Sequence, residues 1–151
     1  MNREIIRLKP EDYAKCSNIW DMRKQRDLAE RFYEEILAGK RVSYVCVSDG
    51  AFVGEISLVF DMEDTDYVIA GKRAYLSRLI VKPEFQRQGI GTELVKFVAG
   101  EAKRFGYREM SVGVNLDNYP ALKLYVNAGF REILRVDTDE YGAYAKLKRT
   151  L

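Results

Sequence analysis

Tyr75-Leu-Ser-Arg-Leu-Ile-Val-Lys-Pro-Glu-Phe-Gln-Arg-Gln-Gly-Ile-Gly-Thr-Glu-Leu94 is the stretch on which the reading of the chain turns. Residues 75–81 are apolar and β-branched enough for a strand. Pro83 forces a bend, and Gly89 and Gly91 stand where a helix begins. Glycine weakens a helix, because it loses more backbone freedom than alanine does. A pair of glycines at a helix start therefore points to something that must come close to the main chain. The first turn of a helix offers unpaired N–H groups and a partial positive charge, so an anion such as a phosphate is the natural visitor.

Two familiar phosphate loops do not fit. A P-loop places Lys and then Ser or Thr after its last glycine, whereas Thr92 and Glu93 follow Gly91. A dinucleotide fingerprint places a third glycine where Leu94 stands. The run Gln86-Arg87-Gln88-Gly89-Ile90-Gly91 instead resembles, position for position, the Gln/Arg-x-x-Gly-x-Gly/Ala turn of the GNAT superfamily of N-acyltransferases. Leu79-Ile80-Val81-x-Pro83 looks like that family's central strand and its exit. Downstream, Asn118-x-x-Ala121-x-x-Leu124-Tyr125-x-x-x-Gly129-Phe130 is similar to a second family element, in the expected order and at the expected separation.

Working outward, the remaining chain reads as strand 4–8, helix 10–22, helix 27–38, strand 42–47, strand 51–60, an acidic connection 61–73, and the central strand. After it come a helix ending near Gly106, strand 109–115, helix 118–128, strand 130–136, an acidic turn 137–140 and strand 141–148. Pro10-Glu-Asp12 suits a helix start. Tyr13, Cys16 and Trp20 recur at helical spacing, as do Leu28, Phe32, Ile36 and Leu37 in the next helix, and Leu94, Phe97, Val98, Ala102 and Phe105 in the third. Ser48-Asp49-Gly50 reads as a hairpin turn. Pattern alone gives α/β or α+β. The resemblance implies a mixed, mostly antiparallel seven-stranded sheet with helices on both faces, and residues 1–151 read as a single N-acetyltransferase domain.

Composition narrows the function from the other side. Apolar residues make up 47% of the 151, enough for a buried core, and the net charge of +2 is too small to argue for nucleic acid. No apolar run reaches the roughly 18 residues of a membrane span. The sequence Met1-Asn-Arg-Glu-Ile-Ile is strand-like and unlike a signal peptide. Cys16 and Cys46 read as buried reduced thiols, which fits a cytoplasmic protein. There is no histidine, so any general base is another residue type, and no metal site is expected.

What the resemblance implies for chemistry is specific. The donor is an acyl-coenzyme A, usually acetyl-CoA. The turn formed by Arg87, Gln88, Gly89, Ile90, Gly91 and Thr92 offers main-chain N–H groups to the pyrophosphate, with Gln86 bracing it. The backbone of Leu79, Ile80 and Val81 pairs with the pantetheine amides as an added strand does, and aims an N–H at the thioester carbonyl. Asn118 is a cofactor contact, a helix N-cap, or both. Tyr125 matches the tyrosine that protonates the leaving thiolate. An acceptor amine, mostly protonated with a pKa of about 10.4, needs a base. Glu55, in Val53-Gly54-Glu55-Ile56-Ser57, is the candidate, because the central strand carries Tyr75, Ser77 and Arg78 but no carboxylate.

The acceptor is a small-molecule or peptide amine. Asp61, Glu63, Asp64 and Asp66, with Asp137, Asp139 and Glu140, would attract a cationic one if they flank a single cleft. No partnership with nucleic acid or membrane is expected, and a homodimer is compatible with the sequence. Neither cysteine lies in the motif region, so direct transfer in a ternary complex is expected. The competing readings are a non-catalytic acyl-CoA-binding regulatory module and an acidic-loop interaction domain that binds no CoA.

Overall fold

The structure is a computed structural model and describes residues 2–151. The chain folds into one seven-stranded sheet of order β1-β2-β3-β4-β5-β7-β6. The strands are β1 (Arg3–Arg7), β2 (Arg41–Ser48), β3 (Ala51–Val59), β4 (Arg73–Val81), β5 (Glu109–Asn115), β6 (Glu132–Asp139) and β7 (Gly142–Thr150). Helices α1 (Arg26–Leu37), α2 (Ile90–Arg104) and α3 (Tyr119–Asn127) lie between them, with 3-10 helices at Pro10–Asn18 and Pro83–Phe85. The expected order of elements is the observed one, and the sheet is mixed and mostly antiparallel, as the resemblance implied.

By contacts the chain divides into two compact units. The first comprises Met1–Leu58 and Ser77–Val98. β1 pairs antiparallel with β2, from Arg3 opposite Ser48 to Arg7 opposite Tyr44. The backbone of β3 alternates, so Gly54 and Glu55 point to opposite faces. A Cβ built on Gly54 would meet Ile90 and Leu94 of α2 at 3.2 Å, whereas Glu55 meets Trp20. Helical segments thus cover both faces within this unit. One face buries Leu8, Tyr13, Cys16, Trp20, Ala29, Phe32, Val45 and Phe52 together.

The second unit comprises Val59–Leu76 and Ala99–Leu151. Here β4 pairs parallel with β5 from Arg73 opposite Glu109 to Tyr75 opposite Ser111. β5 runs antiparallel to β7 along its whole length, and β7 to β6, with an irregularity between Ile133 and Arg135.

Several local expectations are corrected. The first helix is 3-10 and stops at Asn18 rather than running to residue 22. Ile19 N and Trp20 N still donate to Cys16 O just past its end, while side chains reach β3: Asn18 Nδ2 donates to Phe52 O at 2.7 Å and Trp20 Nε1 donates to Glu55. Leu37, Phe97 and Phe105 are exposed rather than core. Phe97 lies edge-on to Tyr44 at 5.3 Å, while Ile90, Leu94, Val95, Val98 and Ala102 make the buried stripe of α2. Both cysteines are free and buried. Among the described residues no helix is long and apolar enough to cross a membrane.

Candidate active site

The candidate residues fall into both units. In the first unit the turn before α2 has a left-handed backbone at Arg87 (φ 64°) and at Gly89 (φ 82°). Left-handed residues so close together fold main-chain N–H groups into a concavity suited to an anion. Gln86 through Gly89 are exposed, whereas Ile90 is buried and anchors the helix start. The first helical bond runs from Glu93 N to Gly89 O at 3.0 Å, which leaves the N–H groups of Ile90, Gly91 and Thr92 without an intrahelical partner. Nothing lies within 4 Å of a Cβ built on Gly89. The site is open and donor-rich, so it fits a diphosphate. Gln86 Nε2 donates to Val81 O at 3.0 Å, bracing the turn against the end of β4. Lys82 N donates to Val53 O at 2.8 Å.

β4 itself contains an irregularity that no sequence pattern signalled. Arg78 lies at φ 61° inside the strand. A left-handed conformation in a non-glycine residue costs about 1–3 kcal/mol and marks places where the surroundings hold the chain for a purpose. Arg78 comes just before Leu79, Ile80 and Val81, all half-buried.

Glu55 is 2% exposed and accepts a hydrogen bond from Trp20 Nε1 at 3.0 Å. Burial pushes its carboxyl up, while the Trp20 hydrogen bond, Arg78, the Cys16 thiol and Arg41 pull the other way. The Arg78 guanidinium stacks over Trp20 at 4.6 Å and lies 5.4 Å from the Phe32 ring. Arg41 covers Phe32 at 3.9 Å and pairs with Glu35 at 2.9 Å. Burial and Glu55 raise the Cys16 thiol, which makes it a poor nucleophile.

In the second unit Asn118 is the N-cap of α3, its side chain accepting from Ala121 N at 3.3 Å. Tyr125 is 8% exposed and sits edge-on to Phe130 at 5.9 Å. Burial, and then the neighbouring Tyr75, push its phenol up to about 12. Tyr75 packs on Tyr67 at 4.4 Å, and a Cβ on Gly113 would collide with the Tyr67 hydroxyl. Tyr67 and Gly113 escaped the sequence reading; only the isolated glycine in a strand pattern hinted at a close approach. The acidic connection is not a free anionic surface. Lys146 Nζ meets Asp64 at 2.7 Å and Asp66 at 3.1 Å, and Arg135 meets Asp66 at 3.1 Å. Asp137 and Asp139 accept from the Thr138 and Tyr141 amides.

The model of the acetyltransferase (GNAT) family matches residues 4–130. The chain belongs to the GNAT acetyltransferase family. Over 63 residues it is 43% identical to GCN5-related N-acetyltransferase 7, chloroplastic, of Arabidopsis thaliana, a match covering 40% of this chain and 22% of that protein. It is 34% identical over 67 residues to thialysine N-epsilon-acetyltransferase of Sus scrofa, covering 44% and 39%. The match therefore spans less than half the length of either relative. Among solved structures, a GNAT family acetyltransferase from Elizabethkingia anophelis with acetyl-CoA bound is similar, with a TM-score of 0.72, 19% identity and 99% of each chain covered. That likeness is one of fold.

Proposed function

We propose that residues 1–151 act as a single N-acetyltransferase domain that moves an acetyl group from acetyl-CoA to a primary amine by direct attack in a ternary complex. The observation that carries this is the solvent-open turn at the head of α2, with left-handed Arg87 and Gly89, in a chain of GNAT membership. In this reading the main chain from Arg87 to Thr92 holds the diphosphate, and Leu79, Ile80 and Val81 align the pantetheine arm. Gln86 keeps the turn in place, and Asn118 both caps α3 and faces the donor.

Acetyl-CoA, when bound, supplies the acetyl group as a thioester. Glu55 takes the proton that the acceptor ammonium must lose before its nitrogen can form the amide bond. Tyr125 gives its phenolic proton to the sulfur as the C–S bond breaks. A phenol at about 12 is fully protonated near neutral pH, as a donor must be. A thiol acyl carrier in Cys16 is not needed, and its raised thiol argues against one. The acceptor is a small-molecule or peptide amine, and the setting is the cytoplasm.

The test is release of CoA thiol over a panel of amines. Thiol should appear only when an acceptor is present. Tyr125→Phe should lower kcat by about 100-fold, the scale of a lost general acid, with a smaller change in the affinity for acetyl-CoA. Full activity in that variant would reject the assigned role.

A further inference from the structure

Among the described residues, Arg78 is the one whose buried side-chain nitrogen is left unanswered. Its Nε is buried and has no hydrogen-bond partner. Arg78 forms no ion pair among the described residues, whereas its neighbour Arg41 is met by Glu35 and by Ser77 Oγ. Buried polar groups are nearly always satisfied, and an exception asks for an explanation. The side chain is nevertheless held firmly. Trp20 lies under the guanidinium at 4.6 Å and Phe32 beside it at 5.4 Å. The backbone that presents it is in the left-handed region, an arrangement kept only where the surroundings enforce it.

The same indole serves an opposite charge. Trp20 Nε1 donates to Glu55 Oε1 at 3.0 Å. Glu55 and Arg78 feel each other's charge, yet no ion pair joins them. A cation receptor and an anion receptor thus share one aromatic platform without closing on each other. A guanidinium held over an aromatic face keeps its outer N–H groups for other partners, and those groups can take a carboxylate by paired hydrogen bonds. Arg78 immediately precedes Leu79 on β4, the strand assigned to the pantetheine arm.

We propose that Arg78 is the anion subsite for the acceptor, and that the acceptor is an amine that also carries a carboxylate, of the free amino acid class. Its carboxylate sits on the Arg78 fork and its amine turns toward Glu55. This rests on the acetyl-transfer reading above and adds the acceptor's chemical class to it.

The experiment pairs each of a set of amino acids with its decarboxylated amine, lysine with cadaverine and phenylalanine with phenethylamine among them. CoA thiol release is the first readout. The second is the thermal shift given by the matching N-acetyl amino acids in the presence of CoA. In the wild type, kcat/KM should favour the carboxylate-bearing member of at least one pair by about 10- to 100-fold, the scale of a charged hydrogen-bonded contact. In Arg78→Gln that ratio should fall to about one and the thermal shift should vanish. Should Arg78→Gln fail to fold, Arg78→Lys, which keeps the charge and loses the fork, should give an intermediate ratio. Turnover of amines with no preference for a carboxylate in any pair would overturn the proposal while leaving acetyl transfer in place. A thermal shift that depends on Arg78, with no thiol released from any amine, would support the subsite and sink the transfer reading. No shift and no preference would end it.

Discussion

The Trp20 cluster of the first unit and the strand network of the second treat charge in opposite ways. In the second, Arg73 meets Glu109 at 3.1 Å, Lys148 meets Glu109 at 2.8 Å and Glu132 at 3.1 Å, and Lys146 meets Asp64 and Asp66. Every one of these ions is answered by another, and the result ties β4, β5, β6 and β7 together. In the first, Glu55 is held by a neutral indole and Arg78 by ring faces. Charges that satisfy each other build the frame. Charges of opposite sign that stand near each other unmet leave their hydrogen-bonding capacity for something that arrives from outside.

That contrast can be attacked from either side. The largest effect is expected at Glu109→Leu, which strips the buried Arg73 guanidinium of its carboxylate and leaves Lys148 with Glu132 alone. Breaking a buried pair this way costs about 3–5 kcal/mol, readable in urea unfolding. Burial pushes the Glu109 carboxyl up, but Lys148 and Arg73 together hold it low, so the wild-type advantage is present above the ordinary glutamate value of about 4.3. It should fade as pH falls through the lowered one.

Glu55→Gln should act on rate rather than on the frame, lowering kcat by about 100-fold without loss of stability. Burial raises the Glu55 carboxyl, so its contribution to stability is present below the ordinary value and is lost as pH rises through the raised one. The melting temperature of Glu55→Gln relative to wild type should therefore climb with pH, the opposite trend to Glu109. A parallel trend in the two variants would mean that the two carboxylates are held alike.

Lys146→Met leaves Asp64 and Asp66 facing each other at a partly exposed site, and about 1 kcal/mol of destabilisation is expected. Arg78→Met should be the mildest change, within about 0.5 kcal/mol of wild type, because no ion pair is lost. A loss at Arg78 as large as that at Glu109 would show that its charge is structural.

Much of this frame is written in the sequence. The periodic stripe of α2, the Pro83 bend and the Gly89 turn are local patterns, and each marks its own element. The centre of the candidate site was less legible. Glu55 read as a possible base from its place in a strand, but nothing nearby in the sequence says that Trp20 will cap it from 35 residues away. The left-handed backbone at Arg78 was invisible, since arginine carries no preference for it and only the fold imposes it. The acidic connection misled for the same reason: its counter-charges, Lys146 and Arg135, lie some 80 and 69 positions downstream. The exposed Phe97 and Phe105 fit the helical period of their neighbours yet fall on its edge.

Gly54 sets the thickness of the joint between β3 and the head of α2. A methyl group there would press on Ile90 and Leu94 at 3.2 Å, and both are fully buried with little room to yield. The turn that begins that helix would then ride outward with it. Gly54→Ala thus offers a way to detune the donor's grip by leverage alone, from beneath, with no atom of the binding loop altered.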